Sequence, residues 1–328
     1  MNRPSLNPML PLLTTAALLV MLCLSGCGDN DPSGPGDDPD PVPPIDYLLS
    51  SHLLLSSEQL DILDRPPEWT DDDRWIIFTA GPGSIIWKVE AGTGASLIAV
   101  TDPDLDHWIL GGYSPCGLEG GGIGYFQGLL PGSFGMHIMG AAASTVSGDP
   151  PPDILRTFSG IAVGLSENQI SSPHELSIDA WGRRGVGTWQ TTWIMHWQDR
   201  EAESVLLTRP ATGLEEATGF RISRDGEFVV YRNEEGVVTW IPFNAEEAHP
   251  LGPGTHPSFS GDGSQVGYTA PNGHDYVVHP RSGDDPVTYI GDAGIAPLRP
   301  TLSWAGDRIA FLVKNSTGTS LYVGHLEH

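Results

Sequence analysis

The chain has 328 residues, with 16 basic against 41 acidic side chains and a formal charge of −25. So acidic a surface repels phosphate backbones and anionic headgroups, which argues against nucleic acid and leaves cationic partners, divalent ions or plain solubility. Three cysteines in a chain this long make no disulfide framework, so stability must come from burying a large core.

Residues 1–26 have the three parts of an export signal. Arg3 charges a short first region, an apolar run of 16 residues follows from Met9 to Leu24, and small residues lead to Cys27. That run is shorter than the roughly 20 residues a helix needs to cross a hydrocarbon core. Leu24-Ser25-Gly26-Cys27 resembles the lipobox of bacterial lipoproteins, which implies cleavage before Cys27 and a diacylglycerol on its thiol. The alternative is an ordinary signal in which Cys27 is incidental. Gly28 after the cysteine resembles the sorting pattern that sends lipoproteins to the outer membrane, so a lipid-anchored place in the cell envelope is expected. Cys23 would leave with the signal and Cys27 would be acylated, so Cys116 remains as the thiol of the mature chain.

Residues 27–46 follow as an acidic linker, with six Asp and six Pro among residues 28–46. Such a stretch cannot bury enough surface to offset its ordering entropy, and its reach as an extended spacer is roughly 25–55 Å. Asp29–Gly34 begins like a calcium loop, but Asp40 stands where the twelfth-place glutamate belongs. The segment reads as a tether.

From residue 47 onward the chain repeats. An apolar residue followed by Ser or Thr recurs at Trp69-Thr70, Tyr113-Ser114, Leu176-Ser177, Ile222-Ser223, Phe259-Ser260 and Leu302-Ser303. Asp/Gly turn residues follow most clearly at 71–73, 224–226 and 261–263, where a short hairpin needs positive φ. A β-branched residue then precedes an aromatic by two places at Ile76/Phe78, Val229/Tyr231, Val266/Tyr268 and Ile309/Phe311. That alternation predicts half-buried strands. Ile123-Gly124-Tyr125 repeats it in the second unit with three extra residues. Third strands are expected at Ile85–Val89, Val237–Ile241, Tyr276–His279 and Leu321–Val323, and fourth strands at Ser96–Val100, Val205–Thr208 and Val287–Ile290.

The markers are 44, 63, 46, 37 and 43 residues apart, against roughly 40–45 for a propeller blade. The expected fold is therefore all-β, a single propeller over 47–328 with six four-stranded blades. The last blade lacks a fourth strand, which Leu53–Asp64 could supply, closing the ring and removing its edges. Ser223–Gly226, Pro257–Gly263 and Pro300–Gly306 resemble TolB-type β-propeller repeats. The resemblance covers most of 65–328, clearly in four units, and it implies a fold rather than an activity.

The motifs for a serine hydrolase elbow, a zinc helix, a paired-cysteine site and a phosphate-binding loop do not occur in the chain. The Gly-rich run 111–124 precedes an aromatic strand rather than a helix N-terminus. Ser177-Ile178-Asp179 begins like a sialidase box, but Trp181 stands in the place of its glycine.

His256 precedes a first strand, and His174 and Arg299 fall near the equivalent point of other blades, with His174 out of register by one residue. They are candidates for a cluster in the central channel, where some pectic-sugar propeller lyases hold a metal. Solvated loop residues or strand-end caps are the competing reading. Asp102, Asp104 and Asp106 read as a solvated acidic turn. Trp189, Trp193 and Trp197 read as strand residues packed between blades. Trp108 and the insertion Phe126–Pro152 are ligand candidates by position, in long loops.

The expected protein is a monomeric, lipid-anchored envelope propeller that binds another envelope protein or a surface ligand, with no cofactor and no catalysis. A metal-dependent polysaccharide lyase or hydrolase working in the channel is the alternative.

Overall fold

The computed structural model describes residues 47–326 apart from 83–84, 102–108, 118–121, 130–132, 140–152, 160–174, 179–183, 189–191, 197–205, 211–217, 244–246 and 292–293. Two strands, β1 (Tyr47–Leu48) and β2 (Ser50–Leu55), precede the repeats. The first sheet holds β3 (Glu68–Trp69), β4 (Trp75–Ala80), β5 (Ile85–Glu90) and β6 (Leu97–Ala99). The second holds β7 (Ile109–Gly117), β8 (Ile123–Leu129), β9 (Ser133–Met139) and β10 (Asp153–Ser159). In the third are β11 (Glu175–Ile178), β12 (Arg184–Thr188), β13 (Thr192–His196) and β14 (Leu206–Pro210).

The fourth sheet runs through β15 (Thr218–Ile222), β16 (Phe228–Arg232), β17 (Val237–Pro242) and β18 (His249–Pro253). The fifth is β19 (Thr255–Phe259), β20 (Gln265–Thr269), β21 (Tyr276–Pro280) and β22 (Val287–Ile290). The last contributes β23 (Leu298–Leu302), β24 (Arg308–Asn315) and β25 (Gly318–His325).

Each of these sheets is an antiparallel meander. The first strands touch one another in chain order, β3 to β7, β11, β15, β19 and β23, and β23 returns to β3. A cyclic arrangement of meanders about their first strands is a β-propeller. In the first, fourth, fifth and last sheets the side-chain packing can be followed throughout.

The N-terminal strand closes the ring. β2 pairs antiparallel with β25, from Ser50 opposite His325 to Leu55 opposite Leu321. The closing strand thus lies at 50–55 and not across the whole of 53–64. Residues 56–64 instead turn back, and Ile62 bridges to Ala80 of β4. β1 adds a short parallel strand to the outer edge of the fifth sheet, Tyr47 opposite Tyr289.

The second strands of the first, fourth, fifth and last sheets are buried on both faces, not half-buried, and β4 is buried at all six positions. The reason is the stacking of blades, in which each sheet has a neighbour on either side. Ile76 and Phe78 pack with Ala310 and Leu312 of the last sheet, while Ile77 packs with Ile123 of the second. Ile309 and Phe311 pack with Tyr276 and Tyr289 of the fifth sheet. Val266 and Tyr268 pack with Val230 and Val238 of the fourth. Phe78, Tyr268 and Phe311 therefore fill the seam with the preceding blade, and the period-two alternation of β4 feeds two seams from one strand.

The Ser/Thr marker has a defined task at the end of the first strand. Its hydroxyl accepts the backbone N–H five residues on, with N···O distances of 3.0 Å for Trp75 to Thr70, 2.9 Å for Phe228 to Ser223, 3.1 Å for Gln265 to Ser260 and 3.1 Å for Arg308 to Ser303. It donates to a turn carboxylate: Asp72 at 2.6 Å, Asp225 at 2.5 Å, Asp262 at 2.7 Å and Asp307 at 2.9 Å. This is a side-chain cap on a tight turn.

Two of the markers are misplaced. β7 runs on to Gly117, so Ser114 lies within the strand and the three extra residues lengthen it. Ser177 likewise lies inside β11, opposite Val186. The insertion expected as loop from Phe126 also begins as structure, since 126–129 and 133–139 belong to β8 and β9.

Candidate functional site

The mouth of the channel is built by a repeated backbone irregularity. Register shifts fall between Thr218 and Arg221 of β15, Thr255 and Ser258 of β19, and Leu298 and Thr301 of β23. In each, the residue three before the strand's end takes a positive φ: Gly219 at 60°, His256 at 52° and Arg299 at 51°. A bulge re-aims its side chain, and here it turns these residues to the mouth. Pro66, at the same offset before the end of β3, completes a common pocket with Gly219, Arg221, His256, Pro257, Arg299 and Pro300. The pocket is shallow and partly open.

Charge gathers there. Arg299 donates from Nε to Asp64 Oδ1 at 2.7 Å. Arg221 lies 3.6 Å from Glu68 and donates to Phe220 O at 2.8 Å. His256 is held well below the usual imidazole range, at about 4, first by its burial and then by the guanidinium groups of Arg299 and Arg221, with Asp64 opposing and Arg232 adding to them. It is therefore neutral near pH 7. Among the described residues, His256 Nδ1 and Arg232 Nε are buried without a hydrogen-bond partner.

Below the mouth the channel narrows to a cavity of about 40 Å³, lined among others by Glu68, Cys116, Arg221, Ser258 and Thr301. Each is the residue before last in its first strand. Burial raises the Glu68 carboxyl despite the pull of Arg221 and Arg224. Arg224 closes the far side. It donates to Gly117 O and Trp69 O, both at 2.8 Å, and sits 5.1 Å over the Trp304 ring. One guanidinium from the fourth blade thereby ties the second, first and last.

Of the residues singled out from the sequence, the structure brings His256 and Arg299 together. His174, Trp108, Cys27, Asp102, Asp104 and Asp106 lie outside the described residues. At the third blade, the position equivalent to His256 is Glu175, the first residue of β11. Among the described residues no group of three or more His, Cys, Asp or Glu side chains is placed to hold a metal ion. Sequence reasoning passed over Asp64, Glu68, Arg221 and Arg224. A signal was present: Glu68, Arg221, Ser258 and Thr301 each stand two places before a Ser/Thr marker.

These features define a β-propeller with a polar, arginine-rich channel mouth. No protein-family model matches the chain, and no curated protein matches it. Among solved structures, it is similar to TolB from Acinetobacter baumannii at 12% identity and a TM-score of 0.48, over 82% of this chain and 63% of that one. The chain thus spans less than two thirds of that protein's length. An oligogalacturonate lyase from Vibrio parahaemolyticus is similar at 9% identity and a TM-score of 0.49, over 86% of this chain and 98% of that one. Hsv2 of Kluyveromyces lactis is similar at 11% identity and a TM-score of 0.49, over 82% and 75% of the two chains. At such distances no activity is transferred.

Proposed function

We propose that the chain is a lipid-anchored envelope protein, a six-bladed propeller that binds a protein or surface ligand at its channel mouth without transforming it. In this reading residues 1–26 are the export signal, Cys27 carries the lipid, and residues 27–46 are the tether. The outer membrane is the favoured location, and the protein works as a monomer without a cofactor. The cyclic contact order of the first strands supports six blades. The observation that carries the binding reading is the meeting of His256, Arg299 and Arg221 at one pocket. Side chains from three consecutive blades are re-aimed there by bulges or held beside them.

The metal-dependent lyase or hydrolase is disfavoured by electrostatics. Arg299, Arg221 and Arg232 all act on His256, and three guanidinium groups make a poor setting for a divalent cation.

Crosslinking and pull-down from native membranes tests the proposal, comparing full-length protein with Cys27→Ala and Arg299→Gly. One envelope component enriched with the lipidated protein, and lost in both variants, is the expected result. An identical set of captured proteins in all three samples would overturn it. Stoichiometric metal in the purified protein, absent from His256→Gly, would favour the enzyme.

A further inference from the structure

We propose that the channel mouth is a receptor for a single carboxylate group; this deepens the binding reading above and rests on it. The bulge position with positive φ recurs in three successive blades, and in the fourth blade it is Gly219, the residue that takes this conformation without cost. In the next two blades it is His256 and Arg299. A residue with a Cβ is disfavoured there. Gly219 demonstrates that the fold itself asks for no side chain at this place. Such strain is characteristic of positions kept for what the side chain does.

What the side chains offer is a set of donors. Arg221 and Arg299 line one pocket with His256, and Arg232 is near enough to act on the same imidazole. Facing them are two carboxylates, Asp64 on Arg299 and Glu68 beside Arg221. With Arg224 acting on Glu68 from the far side, four guanidinium groups stand against two carboxylates and make the mouth a positive spot in a chain whose overall charge is −25. Arginine's planar fork suits a carboxylate. Asp64 on Arg299 already shows a carboxylate seated at this mouth, so an incoming carboxylate meets a place of the right shape, which tetrahedral sulfate does not match.

The Asp64–Arg299 pair is exposed on the carboxylate side, with 53% of the Asp64 side chain accessible. Exposed pairs are held weakly, so an incoming carboxylate can share or displace Asp64 at little cost. His256 Nδ1 is buried without a described partner, and in the tautomer protonated there it donates to an incoming carboxylate. The ligand thus enters end-on, carboxylate first.

Calorimetric titration of the full-length protein in detergent tests this, with N-acetylglycinate, methyl β-D-glucuronide carboxylate and sulfate as probes at constant ionic strength. At least one carboxylate should bind with its affinity reduced about tenfold or more in both Arg299→Gly and His256→Gly and unchanged in Lys314→Gln. Lys314 is exposed and distant in sequence from the mouth strands' bulges. Glycine suits both bulges, so unfolding midpoints at or above that of the parent establish that the variants are folded. Tighter binding of the peptide-like probe points to a polypeptide C-terminus or acidic side chain as the source, and of the glucuronide to a uronic acid. Failure of both carboxylates to bind, sulfate binding as tightly as either, or affinities indifferent to the two glycine variants would overturn the proposal. Capture of a partner that depends on Arg299, without carboxylate binding, would refute this inference alone and leave the binding module standing.

Discussion

Replacing Arg224 with methionine removes a guanidinium that holds three blades to a fourth while keeping most of the aliphatic stem. The side chain donates to Gly117 O and Trp69 O at 2.8 Å each. A hydrogen bond from a charged donor contributes about 1.5–3 kcal/mol. Two of them give roughly 3–6 kcal/mol, and partial exposure of Arg224 moves the expectation to the lower half, about 3–4 kcal/mol. The stem retained by methionine preserves contact with Trp304, so little packing is lost. Lysine in the same place supplies one point charge in place of a fork and should recover about half of the loss. Urea unfolding followed by tryptophan fluorescence reads the effect. With a slope near 3 kcal/mol/M for a domain of this size, the midpoint should fall by about 1 M at unchanged slope. A loss below about 1 kcal/mol for Arg224→Met would refute the idea that this residue ties the ring.

The acid side of the stability curve should carry the signature of His256. Its folded value of about 4 lies below the ordinary 6.5, so the unfolded chain binds the extra proton between those limits and stability falls as pH drops from 6.5 towards 4. The full effect would be at most about 3 kcal/mol, and about 2 after allowing for its partial exposure. Glu68 is shifted upward and titrates in the opposite sense, so the difference between parent and His256→Gly curves isolates the histidine. Ser260→Ala removes the acceptor for Gln265 N and the donor to Asp262, and should cost about 1–2 kcal/mol in chemical denaturation. Leu55→Ala in the closing strand deletes a side chain that is 1% exposed and should cost about 2–4 kcal/mol. Asp73→Ala strips the acceptor shared by the Trp304 and Ala305 amides. Hydrogen exchange should quicken at those two amides first, because the seam between the first and last blades depends on it.

The repeat was readable because four blades share a capped turn and three of them an aromatic for the preceding seam. Thr70, Ser223, Ser260 and Ser303 state the first, and Phe78, Tyr268 and Phe311 the second, while Tyr231 packs among Phe220, Ile222 and Val229 of its own sheet. Third strands were legible for the same reason, since Val237–Pro242 and Tyr276–Pro280 differ from the sequence expectation by one residue at their ends. The second and third blades misled because Ser114 and Ser177 mimicked the marker from inside β7 and β11. The two-sided burial of the second strands was hidden as well, because alternation of apolar types reads alike whether one face or both are covered. At the mouth, His256 and Arg299 stood out by residue type and by their place before a proline. Glu68 and Arg221 were marked only by standing two places before Thr70 and Ser223, and Arg224 only as a turn residue. Their role depends on closure of the ring, which brings Arg224 to Gly117, 107 residues away in sequence. Nothing local to a charged residue in an acidic chain announces such a contact.

Site-specific photocrosslinking tests the central claim that the channel mouth is where this propeller binds. A photoreactive phenylalanine replaces Arg65, beside Asp64 and Pro66 at the mouth, and in a second protein replaces Leu48 on the outer edge of the fifth sheet, where the side chain is 78% exposed. Irradiated in native membranes, the mouth position should give a discrete adduct that Arg299→Gly abolishes, while the edge position should give none of the same mass. An adduct formed from position 48 and absent from position 65 would contradict the account, placing the binding surface on the rim of the propeller instead.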